Sequence, residues 1–206
     1  PYHELARLRA LGWIEQDAGV PAVALERFDA ALAVAKTLPA GDPFAAQEVA
    51  LVMNGIGAAA HVAGDNERAA ASFTEAAAQL EARLGPDHPD VARVRNNLAS
   101  VMRDAGKVEQ ARALFEQNLV VFEAAHGPEH PVIGQTLVNL AVAEIDLGDD
   151  ESAERHAKRA KDVFTAAHGA EHPLVAKALT IRADARIQLD RPREAIEDLT
   201  VALDLE

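Results

Sequence analysis

The chain has no cysteine, so a disulfide framework, a thiolate metal site and a cysteine nucleophile are all excluded. It is nearly as poor in aromatics. They make up 4% of the 206 residues, with one Trp and one Tyr, although apolar residues reach 49%. An interior must therefore be assembled from Ala, Leu and Val, which suits closely packed helices because Ala carries no helix penalty and lets backbones approach. No apolar run nears the ~20 residues that cross a bilayer, and the N-terminus lacks a basic segment followed by an apolar one. Positive charge is also in deficit. Twenty Lys and Arg stand against 33 Asp and Glu, a net charge of −13, which argues against phosphate-backbone binding and so against nucleic-acid partners. The expectation is a soluble, cytoplasmic protein with no membrane partner.

Catalytic signatures are missing too. There is no Gly-rich phosphate loop, no HExxH and no GxSxG, and the acidic residues are scattered along helix surfaces. No enzyme activity and no cofactor are expected in this segment.

What is present is a period. "LGPDHP" at 84–89 returns as "HGPEHP" at 126–131 and "HGAEHP" at 168–173, with His88, His130 and His172 spaced 42 residues apart. Gly64, Gly106 and Gly148 keep the same step and Asp190 holds the next place, each followed five residues on by an alanine: Ala69, Ala111, Ala153 and Ala195. Two markers on one interval identify an internal repeat.

Each unit of the period reads helix, turn, helix. Val91, Val94, Leu98, Val101 and Met102 recur at steps of mostly three and four before Gly106, and Val108, Ala111, Leu114, Phe115, Leu119 and Phe122 do so after it. A first unit aligns Gly19 with Gly64 at an offset of 45, and the three extra residues fall in "TLPAGDPF". There Asp42 and Pro43 read as N-cap and first helical residue, so the helix that follows should start about a turn early. The result is an all-α chain of five hairpins, at about 2–38, 42–84, 88–126, 130–168 and 172–205, with no linker composition between them and hence a single domain over 1–206.

These residues resemble tetratricopeptide repeats of the 42-residue, kinesin-light-chain-like type. The likeness rests on a small residue mid-way along the first helix (Gly12, Gly57, Ala99, Ala141, Ala183), the turn glycine, the early alanine of the second helix and an aromatic four residues later (Phe28, Phe73, Phe115). "NNLA" at 96–99, "VNLA" at 138–141 and the repeated G-x-[DE]-H-P add to it, whereas Asn118, Ala157 and Leu199 depart from the pattern. The resemblance implies a right-handed α-solenoid of five stacked hairpins, with first helices lining a concave groove and second helices facing outward. It also implies a non-catalytic module that binds a protein or peptide segment in that groove.

On that resemblance the ligand-facing positions are Arg9, Trp13, Asn54, His61, Arg93, Asn96, Asn97, Ser100, Arg103, Gln135, Val138, Asn139, Val142, Lys177 and Thr180. Arg9, Arg93, Arg103 and Lys177 give the groove a cationic or neutral character on an acidic body, which suits an acidic or extended peptide. Asn97 and Asn139, one period apart, offer both donor and acceptor to successive peptide groups. The alternative is that these asparagines bond a neighbouring helix and only fix repeat packing.

The junction histidines admit two readings. His126, Glu129 and His130 place metal-ligating types together, but zinc needs three or four converging donors, whereas Gly127 before and Pro131 after suit a helix stop and restart. The second reading, with no metal, is adopted. The run "ERHAKRAKD" at 154–162 reads as a solvated helix face. A competing role is structural, with terminal or convex faces mediating homo-oligomerisation through uncapped ends. The opening inside a helical pattern and the missing initiator Met suggest a piece of a larger protein; the resemblance points to a bacterial signalling protein carrying a Ser/Thr kinase or a signalling ATPase domain.

Overall fold

The computed structural model describes residues 1–39 and 42–205. These contain ten α-helices and no strand: α1 (Tyr2–Asp17), α2 (Pro21–Ala35), α3 (Pro43–Val62), α4 (Asn66–Leu84), α5 (Pro89–Asp104), α6 (Val108–His126), α7 (Pro131–Leu147), α8 (Asp150–His168), α9 (Pro173–Gln188) and α10 (Pro192–Asp204). Odd-numbered helices are termed A and even-numbered ones B. Two compact units divide the chain, Pro1–Ala105 and Gly106–Glu206.

The helix boundaries follow from local chemistry. His88, His130 and His172 precede a proline at the first helical position of α5, α7 and α9, and each imidazole Nδ1 accepts the backbone N–H two residues on, at 3.1, 3.3 and 3.2 Å. The ring thus satisfies one of the amides that a helix start leaves unpaired, the task usually given to Ser or Asp. His126 stacks on His130, and His168 on His172, with ring centroids 4.6 and 4.4 Å apart. Turns within hairpins need a left-handed residue. Gly148 supplies it at φ 76°, and in the last hairpin Asp190 takes φ 55°, a conformation that costs an L side chain more than glycine.

The early start of α3 is present. Asp42 accepts the Phe44 amide at 2.9 Å, and α3 runs to 20 residues against 16 for α5 and α9. Of the inserted stretch, residues 40 and 41 lie outside the described residues.

In unit 1, glycines on A helices receive aromatics from B helices. A Cβ added to Gly12 or Gly55 would fall 2.6 or 2.5 Å from the Phe28 ring, so Phe28 is clasped between α1 and α3, and Gly57 stands in the same relation to Phe73. In unit 2, Gly134 makes the equivalent approach to Phe164. This close packing is how a chain with few aromatics keeps a dense interior.

Among the described residues of each unit, A helices touch one another (α1 with α3, α3 with α5, α7 with α9), whereas within a unit no B helix packs on another B helix. Within each unit an ion pair bridges B helices, Arg68 to Asp29 in unit 1 and Arg159 to Glu123 in unit 2. Tighter spacing on the A side makes that side the inner one in each unit.

Candidate functional site

The inner side of unit 1 is built by α1, α3 and α5. Arg9 is half-buried and its guanidinium grips the buried Glu48 of α3 at 2.9 and 3.4 Å. Trp13, also half-buried, meets Phe28 edge to face at 5.4 Å. Asn54 is 2% exposed and its Oδ1 accepts from Asn97 Nδ2 at 3.2 Å, a bond that joins α3 to α5. Asn96 is buried, while Ser100 is half-buried and donates to the Asn96 carbonyl at 3.3 Å. Arg93 is exposed and lies 3.3 Å from Asp90.

At the far end of the same side, Asp104 collects two predicted residues. His61 Nε2 donates to one carboxylate oxygen and Arg103 to the other, both at 2.7 Å. Burial would raise the Asp104 carboxyl, but the bonds from His61 and Arg103 outweigh it and hold the group below its ordinary range.

Unit 2 presents α7 and α9. Gln135 Nε2 donates to Asn139 Oδ1 at 3.2 Å, one turn away on the same helix, and both remain half-exposed. Val138 is 1% exposed and belongs to the interior, Val142 is half-buried, and Thr180 returns its hydroxyl to the Ala176 carbonyl at 3.1 Å. Lys177 is exposed. Asp184, on the same helix, is raised by desolvation alone.

The predicted set therefore sorts by helix angle. Asn97 and Asn139 face outward at matching positions, while their neighbours Asn96 and Val138, and Asn54 three positions before Gly57, are turned into the packing and present no side chain to a surface ligand. The cationic bias read from the sequence is met largely by partners on the chain itself: Glu48 for Arg9, Asp90 for Arg93 and Asp104 for Arg103.

Two charged clusters escaped the sequence reading. Glu144 is fully buried on α7, where Oε2 accepts from His156 Nδ1 at 2.8 Å and Arg112 lies 4.0 Å from Oε1. Asp198, buried on α10, receives Arg182 and Arg186 of α9, and Arg186 also meets Glu154 of α8 at 2.8 Å. One signal was available. Arg112 and Glu144 stand one 42-residue period before Glu154 and Arg186, so a single B-to-A register carries both pairs with the signs exchanged. Among the described residues no three His, Asp or Glu side chains converge as a metal site, and no helix is long and apolar enough to cross a membrane.

Antiparallel hairpins with a common turn, a common cap and a side lined by A helices define an α-helical repeat protein. Family comparison makes this specific. The tetratricopeptide repeat model matches residues 48–117, 91–165 and 133–205, and the chain belongs to that family. The fold is a protein-interaction scaffold.

Solved structures agree on the fold. A Podosopora anserina protein of nearly identical TPR-like repeats, named for kinesin light chain, is 21% identical with a TM-score of 0.78, covering 100% of this chain and 96% of that one. BtubC (BKLC) from P. vanneervenii is 19% identical with a TM-score of 0.82, covering 99% and 83%. Aspartyl phosphate phosphatase F from Bacillus subtilis is 17% identical with a TM-score of 0.79, but the chain spans only 50% of its length. A search of the curated proteins returns no match.

Proposed function

We propose that the A-helix side of a unit binds an extended peptide segment of a partner protein, as a regulatory or scaffolding part of a larger assembly. The observation that carries this reading is that carboxamides stay half-exposed on the A-helix side of each unit taken by itself: Asn97 on α5 in unit 1, and Gln135 with Asn139 on α7 in unit 2. A carboxamide offers both a donor and an acceptor, so each can take both polar atoms of one peptide group. In unit 2, Lys177 adds positive charge toward an acidic side chain of the ligand. No bond-making step is assigned to this segment.

The test begins with random peptides displayed on phage and selected on the purified chain. Binding of the selected peptides is then measured for the parent and for the Asn97→Ala, Asn139→Ala, Arg103→Ala triple variant. Trp13, the only tryptophan, reports contact with unit 1 by its fluorescence. A loss of at least about tenfold, equivalent to 1.4 kcal/mol, is expected. Equal affinity for both proteins would sink the reading.

A further inference from the structure

Two A-helix positions stay open through the 42-residue repeats. The first carries Leu51, Arg93, Gln135 and Lys177, and the second, seven residues on, carries Ala58, Ser100, Val142 and Asp184. None of these side chains is buried. Openness belongs to the position itself, since Leu51 and Ala58 are half-exposed although their helix, α3, touches both α1 and α5 within unit 1.

In unit 2 the two positions on α9 carry opposite charges. Lys177 and Asp184 are both exposed, two turns and about 10 Å apart along the helix, too far to meet each other. Among the described residues neither forms a hydrogen bond or an ion pair, whereas the other charged side chains of α9, Arg182 and Arg186, both engage Asp198. The surroundings of Asp184 are apolar. Ile181, one turn before it, and Ile145 of α7 pack half-buried on the cluster of Ala141, Ala153, Ala157 and Ala185, and Val142 holds the matching position on α7. Desolvation alone pushes the Asp184 carboxyl above its ordinary range, and no cation offsets it. A carboxylate partly stripped of water and left without a partner is stabilised by any cation that reaches it.

We infer that Asp184 seats a Lys or Arg side chain of the bound segment, with the aliphatic stem over Val142 and the charged head on the carboxylate, while an acidic residue of the same segment faces Lys177. This rests on the peptide-binding reading above and narrows it: the segment held by unit 2 is of mixed charge, with its two charges in a fixed order along α9, rather than acidic throughout. Packed neighbouring helices stand about 8–10 Å apart, a step that a long basic side chain covers with its stem on apolar surface and its head on charge. An acidic residue at the same place would meet Asp184 with like charge.

The peptides selected on phage are synthesised, and those whose affinity falls with Asn139→Ala alone, and which therefore engage unit 2, are carried forward. They are expected to share a Lys or Arg at one place. Replacing that residue with Ala, or making Asp184→Asn, should each weaken binding about fivefold, the upper range for an exposed ion pair. Both changes together should cost no more than either alone, because they remove one contact. Asp184→Lys should weaken binding at least tenfold and should prefer the peptide with Glu at that place. The circular dichroism spectra of the variants should match that of the parent, as the side chain is exposed. Full affinity of the Asn139-dependent peptides for Asp184→Lys, or additive losses in the double change, would overturn the inference and leave the peptide-binding reading standing. The absence of any Asn139-dependent peptide would overturn both.

Discussion

Glu144→Met and His156→Ala should move stability in opposite directions, although the two side chains are hydrogen-bonded to each other. Glu144 is fully buried, with one oxygen bonded to His156 at 2.8 Å and the other, with no hydrogen bond, 4.0 Å from Arg112. That guanidinium is shared with Glu116 at 3.0 Å and Asp149 at 3.2 Å. At an effective dielectric of about 20, charges about 4 Å apart attract by about 4 kcal/mol. This is comparable to the several kcal/mol needed to strip water from a buried ion, so the carboxylate is close to energetic balance. Methionine at 144 copies Met102, its counterpart one period earlier, and leaves no charge stranded, because His156 is 28% exposed and Arg112 keeps two carboxylates. The variant should be between unchanged and about 2 kcal/mol more stable. Alanine at 156 instead leaves the buried carboxylate with Arg112 alone and should cost about 3 kcal/mol, a fall of roughly 10 °C in Tm for a chain of this size. In the Glu144→Met background His156→Ala should cost almost nothing. Urea and thermal unfolding, followed by far-ultraviolet circular dichroism, measure all three. Glu144→Met losing about 2 kcal/mol or more, or additive losses in the double variant, would refute the reasoning.

Asp190→Gly should raise stability by up to about 1 kcal/mol, since φ 55° strains an aspartate, while Gly148→Ala, at φ 76°, should lower it by a similar amount; thermal unfolding of both gives the sign. Asp104 has a folded pKa held below its ordinary value, so its contribution to stability is present above the ordinary carboxylate range and lost as pH falls through the folded value. Asp104→Asn should flatten that part of the acid-side decline in Tm, and an unchanged slope would show that the His61 and Arg103 bonds contribute little.

What was legible in the sequence is what the local backbone dictates. A left-handed turn wants glycine, a helix start wants an acceptor followed by proline, and both are short-range demands that the 42-residue markers reveal directly. Asp42 and Pro43 announced the extra turn of α3 in the same way. Helix angle was less accessible. Adjacent residues of a helix are about 100° apart, so periodicity placed Asn96 and Asn97 on one stripe although only Asn97 faces outward. The partners of the inner-side residues were not legible. Arg9 with Glu48 and His61 with Asp104 are separated by 39 and 43 residues, and neither partner is chosen by any local pattern. A charge count along the inner side therefore overstated its positive character, since it counted Arg9, Arg93 and Arg103 without the carboxylates they meet.

The exchanged signs at the B-to-A register suggest why charge is tolerated inside unit 2. A repeat protein with similar hairpins risks pairing a B helix with an A helix one period out of place. In unit 2 such a slip would put Arg112 against Arg186 and Glu154 against Glu144, like charge on like charge in partly or fully buried sites, whereas the native register gives Arg112 with Glu144 and Glu154 with Arg186. Unpaired buried charge is far costlier than the native pairs are favourable, so the discrimination exceeds the stability the pairs provide. In unit 1 the same register is apolar, Leu25 against Ala60 and Ala70 against Met102, and only side-chain size separates the correct partner from its neighbour. Charge in unit 2 thus works against wrong order rather than for right packing, which is consistent with Glu144→Met being harmless to stability while removing half of that safeguard.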